Sequence, residues 1–130
     1  MSPITNTYNI GRPKFVAHEG SVMLRGTGVQ IDWTNVGTEP GGQKILHAGT
    51  LLHIDPSTGL AEPRVFPSKP ANAILVSDVD DTLGQNKDFH GVYIGGHFYE
   101  NLMPEAPDSD DKTALGERFA FMEYQDTRLD

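Results

Sequence analysis

Residues 71–79 read Ala-Asn-Ala-Ile-Leu-Val-Ser-Asp-Val, the most apolar run in the chain. Its apolar centre is four to six residues long and partly β-branched. That length suits a strand buried on both faces and is too short for an ordinary helix. The flanking sequence is punctuated in the same β-like way. Upstream, residues 44–55 (KILHAGTLLHID) read as a strand closed by Pro56, Ser57, Thr58 and Gly59. Pro presets one turn residue there and Gly permits a positive φ, so a hairpin is expected, with Leu60 opening the return strand. Residues 62–70 contain Pro63, Pro67 and Pro70, too many prolines for a central strand. Further upstream, Val29, Ile31 and Trp33 alternate with Gln30 and Asp32 as in a half-buried strand, and residues 34–43 read as a loop.

Downstream, residues 89–99 (FHGVYIGGHFY) predict a strand pair with a bend or tight turn at Gly95 and Gly96. One stretch resembles a helix. Asp108, Ser109, Asp110 and Asp111 precede Lys112, Thr113, Ala114 and Leu115, which puts acids at the positive end of a helix dipole and offers Asp108 or Ser109 as the cap. One or two turns are expected. Residues 117–124 (ERFAFMEY) suit a helix end or a final strand equally. Fourteen glycines and nine prolines among 130 residues, with strands every ten or so positions, predict an all-β, β-dominated single domain with one short helix. Helical bundles and doubly wound sheets are disfavoured.

Composition narrows the function classes. At 37% apolar and 22% charged positions the chain fits one compact domain and leaves no room for a second catalytic one. The absence of cysteine removes disulfides, thiolate zinc sites and cysteine nucleophiles. No window reaches the ~18 apolar residues of a membrane span, and the first residues lack the apolar block of a secretory signal, so a soluble, unexported protein without a membrane partner is expected. Residues 68–130 carry five bases against thirteen acids, and the whole chain stands at −8. Such a surface repels a phosphate backbone, which argues against a nucleic-acid partner.

Residues 1–15 differ from the rest. They hold Arg12 and Lys14 with no acid, and their apolar groups Ile4, Tyr8, Ile10 and Phe15 follow neither a helical nor an alternating period. Too little apolar surface is available to offset an ordering entropy of about 1–2 kcal/mol per residue. The expectation is an extended N-terminal arm over residues 1–15, mobile unless bound, on a β-rich body over residues 16–130.

No catalytic set emerges. Residues 74–83 (ILVSDVDDTL) match the local pattern of haloacid-dehalogenase-like phosphotransferases, in which Asp78 is the nucleophile and Asp80 the acid–base partner with magnesium. That fold also needs a parallel sheet and further metal ligands over well more than a hundred downstream residues, whereas 52 follow Asp78 here. The alternative role is a buried strand ending in an acidic turn. Asp108 and Asp110 fail the EF-hand pattern, with Thr113 at the sixth loop position and Phe119 at the twelfth. Five histidines form no zinc-helix spacing, although His90 and His97 are candidates to meet across a hairpin. No serine sits in a nucleophile elbow, and the glycine-rich residues 25–28 lack the lysine and helix of a phosphate cradle. No catalytic residue, metal or cofactor is expected.

Taken in order, residues 44–122 resemble the lambda-type bacteriophage head decoration, or capsid cement, proteins. The resemblance is carried by residues 48–52 (AGTLL), the hairpin at 55–60 (DPSTGL), residues 73–76 (AILV) leading to 78–82 (DVDDT), residues 91–98 (GVYIGGHF), residues 102–106 (LMPEA) and residues 119–121 (FAF). Two departures stand out: residues 16–43 make a longer N-terminal region than the compact lambda member carries, and Met103 stands where that member has Trp. The resemblance implies a β-clip-like domain that binds the outer surface of the mature head as a homotrimer at three-fold and quasi-three-fold positions. Its partners are then the major capsid protein and itself. The residue-level reading of the acid-free arm is compatible with this: capsid-binding contacts are then expected from Ile4, Tyr8, Ile10, Arg12, Pro13 and Phe15, with Leu102, Met103, Pro104 and Glu105 touching a sister subunit or the shell. The competing readings are the Asp78/Asp80 phosphatase and a trimeric β-rich fibre or receptor-binding module.

Overall fold

The computed structural model describes residues 14–81 and 87–125. Nine strands and one α-helix are found among these residues: β1 (Met23–Leu24), β2 (Gln30–Ile31), β3 (Lys44–Leu46), β4 (Leu51–Ile54), β5 (Leu60–Pro63), β6 (Ala73–Leu75), β7 (Val79–Asp81), β8 (Val92–Tyr99), α1 (Ser109–Leu115) and β9 (Phe119–Met122). The main sheet runs β1-β8-β6-β4-β5-β2, with β9 also pairing with β8, while β3 and β7 form a separate antiparallel ribbon. Most pairings are antiparallel; β2 on β5 and β9 on β8 are parallel. The protein is a β-dominated single domain with one short helix.

The most apolar run of the chain forms the centre. Ala73, Ile74 and Leu75 of β6 are all buried, between β4 and β8. Strand alternation then divides the core in two. Leu52, Ala73, Leu75 and Val92 join Leu46 and Val79 of the ribbon in one cluster, whereas Leu51, Ile74 and Tyr93 join Phe15, Phe98, Met103, Leu115 and Phe119 in the other. Neighbouring residues of β4, β6 and β8 therefore serve opposite faces.

The β4–β5 hairpin forms as expected, closed by Gly59 N–H donating to Asp55 O at 2.7 Å and by Asp55 N–H donating to Leu60 O at 2.9 Å. Pro63 ends β5, where its missing N–H is tolerated. The helix starts at Asp108, whose side chain accepts from Asp111 N–H at 2.8 Å while the Asp111 side chain accepts from Asp108 N–H at 3.2 Å. This reciprocal capping box selects Asp108 over Ser109 as cap. Within residues 117–124 the strand reading holds for Phe119–Met122, because β9 continues the sheet on β8 and places Phe119 in the core.

Three expectations are corrected. Residues 44–55 are two strands on different sheets, broken at a turn where Gly49 has φ +91° and Thr50 N–H donates to His47 O at 3.1 Å. The alternation of Val29, Ile31 and Trp33 stops at Asp32, whose carboxylate accepts from Thr34 N–H at 3.1 Å and caps a 3₁₀ turn at Trp33–Asn35. Gly95 and Gly96 do not separate two strands; β8 continues through them as one strand of eight residues, with a register shift where β1 pairs beside Gly95. They are small because residues 22 and 23 cross close above them. A Cβ on Gly96, at φ +140°, would lie 3.0 Å from Val22 Cα, and one on Gly95 would lie 2.9 Å from Met23 Sδ.

Candidate functional site

The expected arm contacts Ile4, Tyr8, Ile10, Arg12 and Pro13 lie outside the described residues. Phe15 is inside them, and its place corrects the expectation of a free arm residue. Its side chain is 3% exposed and packs edge-on to Tyr93 and face-on to Phe98, each with ring centroids 6.2 Å apart. Its carbonyl accepts from Tyr99 N–H at 2.7 Å. An aromatic already surrounded by its own core has no surface left for a pocket on another protein. Phe15 is the root that ties the chain to the body.

Residues 102–105 divide in the same way. Leu102 is 39% exposed, but Met103 is 7% exposed and belongs to the cluster that holds Phe15. The flexible thioether fills that core, which removes Met103 from the contact surface. Pro104 is exposed at its rim, and its Cδ lies 2.9 Å from where a Gly49 Cβ would stand, 3.3 Å from which lies the Phe15 ring. The arm root and residues 102–105 thus converge on one glycine.

Glu105 is held from below. Arg64 Nη1 donates to Glu105 Oε1 at 2.9 Å, while Arg64 Nε and Nη2 donate to Asp111 Oδ1 and Oδ2 at 2.9 and 3.0 Å. Asp111 is 1% exposed. Burial alone raises its pKa, but the Arg64 guanidinium and the Asp108 N–H outweigh it and hold the carboxyl below its ordinary range. Asp111 raises the Arg64 pKa against desolvation, with Glu105 helping. A second network fixes the neighbouring loop: Glu62 Oε1 accepts from Asn35 Nδ2 at 2.8 Å and from Lys69 Nζ at 2.9 Å, and these bonds lower the Glu62 pKa. Between Arg64 and Lys69, Val65 and Phe66 stand 54% and 49% exposed on a loop closed by reciprocal Val65–Lys69 backbone bonds.

Sequence reading missed the Arg64–Asp111 pair and the Val65–Phe66 tip. The Asp-x-x-Asp spacing at 108 and 111 signals the capping box, but nothing local pairs Asp111 with a residue 47 positions away.

Asp78 and Asp80 border a shallow groove of about 360 Å³ lined by Ile45, His47, Asp78, Val79 and Asp80. Asp78 Oδ1 accepts from Ala48 N–H at 2.7 Å and lies 3.9 Å from His47 Nδ1. The strand before Asp78 is β6, antiparallel to both neighbours, and Asp80 sits on the β3–β7 ribbon. The parallel-sheet setting of the phosphotransferase pattern is therefore missing around these aspartates. His90 and His97 do not face one another across a hairpin: His90 bridges Val29, whereas His97, on the continuous β8, has its ring 6.5 Å from that of His18. Among the described residues no three His, Asp or Glu side chains gather as a metal site, and no helix is long and apolar enough to cross a membrane. No family model matches the chain, and no curated protein matches it.

Proposed function

We propose that this protein is a capsid decoration protein that binds the outside of a mature phage head as a homotrimer and works by attachment alone, without bond-making chemistry. The observation that carries this reading is the convergence of the arm root and residues 102–105 on Gly49. Two regions expected to make contact, one from the arm reading and one from the family resemblance, thereby adjoin each other at Gly49. The ordered segments of that resemblance fall in sequence on the turn before β4, the β4–β5 hairpin, β6, β7, β8 and β9.

Physical chemistry supports the division of labour. An acid-free segment carrying Tyr8 and Ile10 suits addition to an exposed sheet edge of a capsid subunit, where main-chain bonds supply affinity and shallow pockets take alternate side chains. Fixing half of residues 1–13 at ~1.5 kcal/mol each costs about 10 kcal/mol, to be recovered from contacts. A single arm barely recovers it, whereas three arms on one trimer raise each other's effective concentration.

The test is sedimentation of the protein with undecorated shells. Co-sedimentation with expanded capsids, and little with unexpanded ones, is the expected result. Failure to sediment with expanded capsids contradicts the reading.

A further inference from the structure

We propose that His18 and His97 form a two-histidine site for a divalent transition-metal ion of the zinc and copper class, with water completing the coordination. The site joins the segment after Lys14 to the long strand β8. It stands apart from the capsid reading, since neither its geometry nor its test involves a shell.

The backbone brings the two side chains together. Residues 15–17 run beside β8: Phe15 O accepts from Tyr99 N–H at 2.7 Å, Val16 bridges Phe98, and Ala17 N–H donates to His97 O at 2.9 Å. His18 then stands at the N-cap of the 3₁₀ turn Glu19–Ser21, with its side chain unused by the cap. One hydroxyl ties the two histidine backbones to each other: Ser21 Oγ donates to His18 O at 2.6 Å and accepts from His97 N–H at 3.0 Å. Hydrogen bonds that a metal leaves intact therefore place both side chains before any ion arrives.

The rings suit the chemistry. Their centroids lie 6.5 Å apart with planes at 52°. Zinc–imidazole bonds of about 2.0–2.1 Å set two ring centroids roughly 5 Å apart around a tetrahedral ion. Closing the difference takes a rotation of two side chains, and both residues are exposed. Gly20 leaves one flank of the His18 ring clear of a side chain; a Cβ there would lie 3.6 Å from Cε1 and 3.9 Å from Nε2. Neither ring is hydrogen-bonded among the described residues, and a neutral imidazole offers one unprotonated nitrogen as a ligand for zinc, nickel or copper.

The other histidines are placed differently. His53 Nδ1 lies 2.7 Å from Pro70 O, and His47 lies 3.9 Å from an Asp78 oxygen that already holds the Ala48 N–H. His90 bridges Val29 in another part of the sheet. The overall charge of −8 favours uptake of a cation. With one ligand on each side, the ion ties residues 15–21 to β8 and stiffens the base to which residues 1–13 are attached.

Zinc titration of the full-length protein, followed through the histidine ring signals in NMR, tests the assignment. One zinc per chain is expected, with the signals of His18 and His97 shifting together while those of His53 and His90 stay in place. His18→Ala and His97→Ala are each expected to weaken zinc binding about tenfold or more, because either imidazole raises the effective concentration of the ion at the other. His47→Ala is expected to change nothing. Unaltered signals of the buried Ile74 and Phe98 establish that the variants fold. With zinc a hundredfold above its dissociation constant, thermal unfolding of the wild type is expected to rise by roughly 5–10 °C and to return on adding EDTA. Absent binding, shifts at His47 in place of the pair, full affinity after loss of either histidine, or zinc-dependent dimers in sedimentation each overturn the proposal; the last assigns the ion to a bridge between two copies.

Discussion

Replacing Arg64 with alanine is expected to lower the unfolding free energy by about 3 kcal/mol, the cost of leaving one charge of a buried pair without its partner. The charge left behind is Asp111, 1% exposed and anchored from both carboxylate oxygens by the lost guanidinium. The effect stays at the lower end of the range for such pairs because Asp111 keeps the Asp108 N–H, and because the Arg64 side chain is 20% exposed. Against a typical total of ~5–15 kcal/mol the loss is severe, and thermal unfolding should fall by roughly 10–15 °C. Replacing both partners together, Arg64→Met with Asp111→Leu, is expected to recover much of it, since no charge is then stranded. Equal destabilisation by the single and double replacements contradicts this account of the pair.

The pair also sets an acid limit. Asp111 has a folded-state pKa below its unfolded value, so its contribution is complete above about pH 4 and is lost as pH falls through the folded pKa. Wild-type stability should therefore drop on acidification below pH ~4, and the Arg64→Ala protein should show a shallower drop because it starts without that contribution. Urea unfolding at two pH values on either side of this limit measures both.

Deleting residues 2–13 is expected to leave a folded body that no longer decorates capsids. The boundary matters. A cut made after residue 15, where composition places the end of the arm, also removes Phe15 with its contacts to Tyr93 and Phe98 and its carbonyl bond from Tyr99. Loss of a buried aromatic costs about 3–5 kcal/mol, so that longer deletion would confuse misfolding with lost attachment. With the cut at 13, thermal unfolding near the wild-type value and absence from sedimented shells is the expected combination. Normal decoration by the shorter chain removes the arm from the mechanism.

What the sequence made legible was local. The central strand β6, the β4–β5 hairpin and the Asp108 cap each announce themselves within a few residues, through an apolar run, a Pro-to-Gly turn and an acid-rich helix start. What it hid was set at a distance. Gly95 and Gly96 resemble a turn until Val22 and Met23 are seen passing over them, some seventy residues earlier in the chain. The break between β3 and β4 follows from β3 pairing with β7, a partner beyond the hairpin. The same reason moved Phe15 and Met103 out of the contact surface: each belongs to a cluster whose other members come from β4, β6, β8, α1 and β9. The composition of residues 1–13 was readable, and so was the acidity of Asp78 and Asp80, but not that Asp78 accepts the Ala48 N–H across the turn between β3 and β4.

The central claim is attachment to the outside of a virus shell, and a density map of the protein on expanded phage capsids tests it most directly. The account predicts three copies around each three-fold position, lying outside the shell, with density for residues 1–13 continuous with a capsid subunit. Density for this chain inside the shell, or on the exterior with those residues unattached to any subunit, contradicts it.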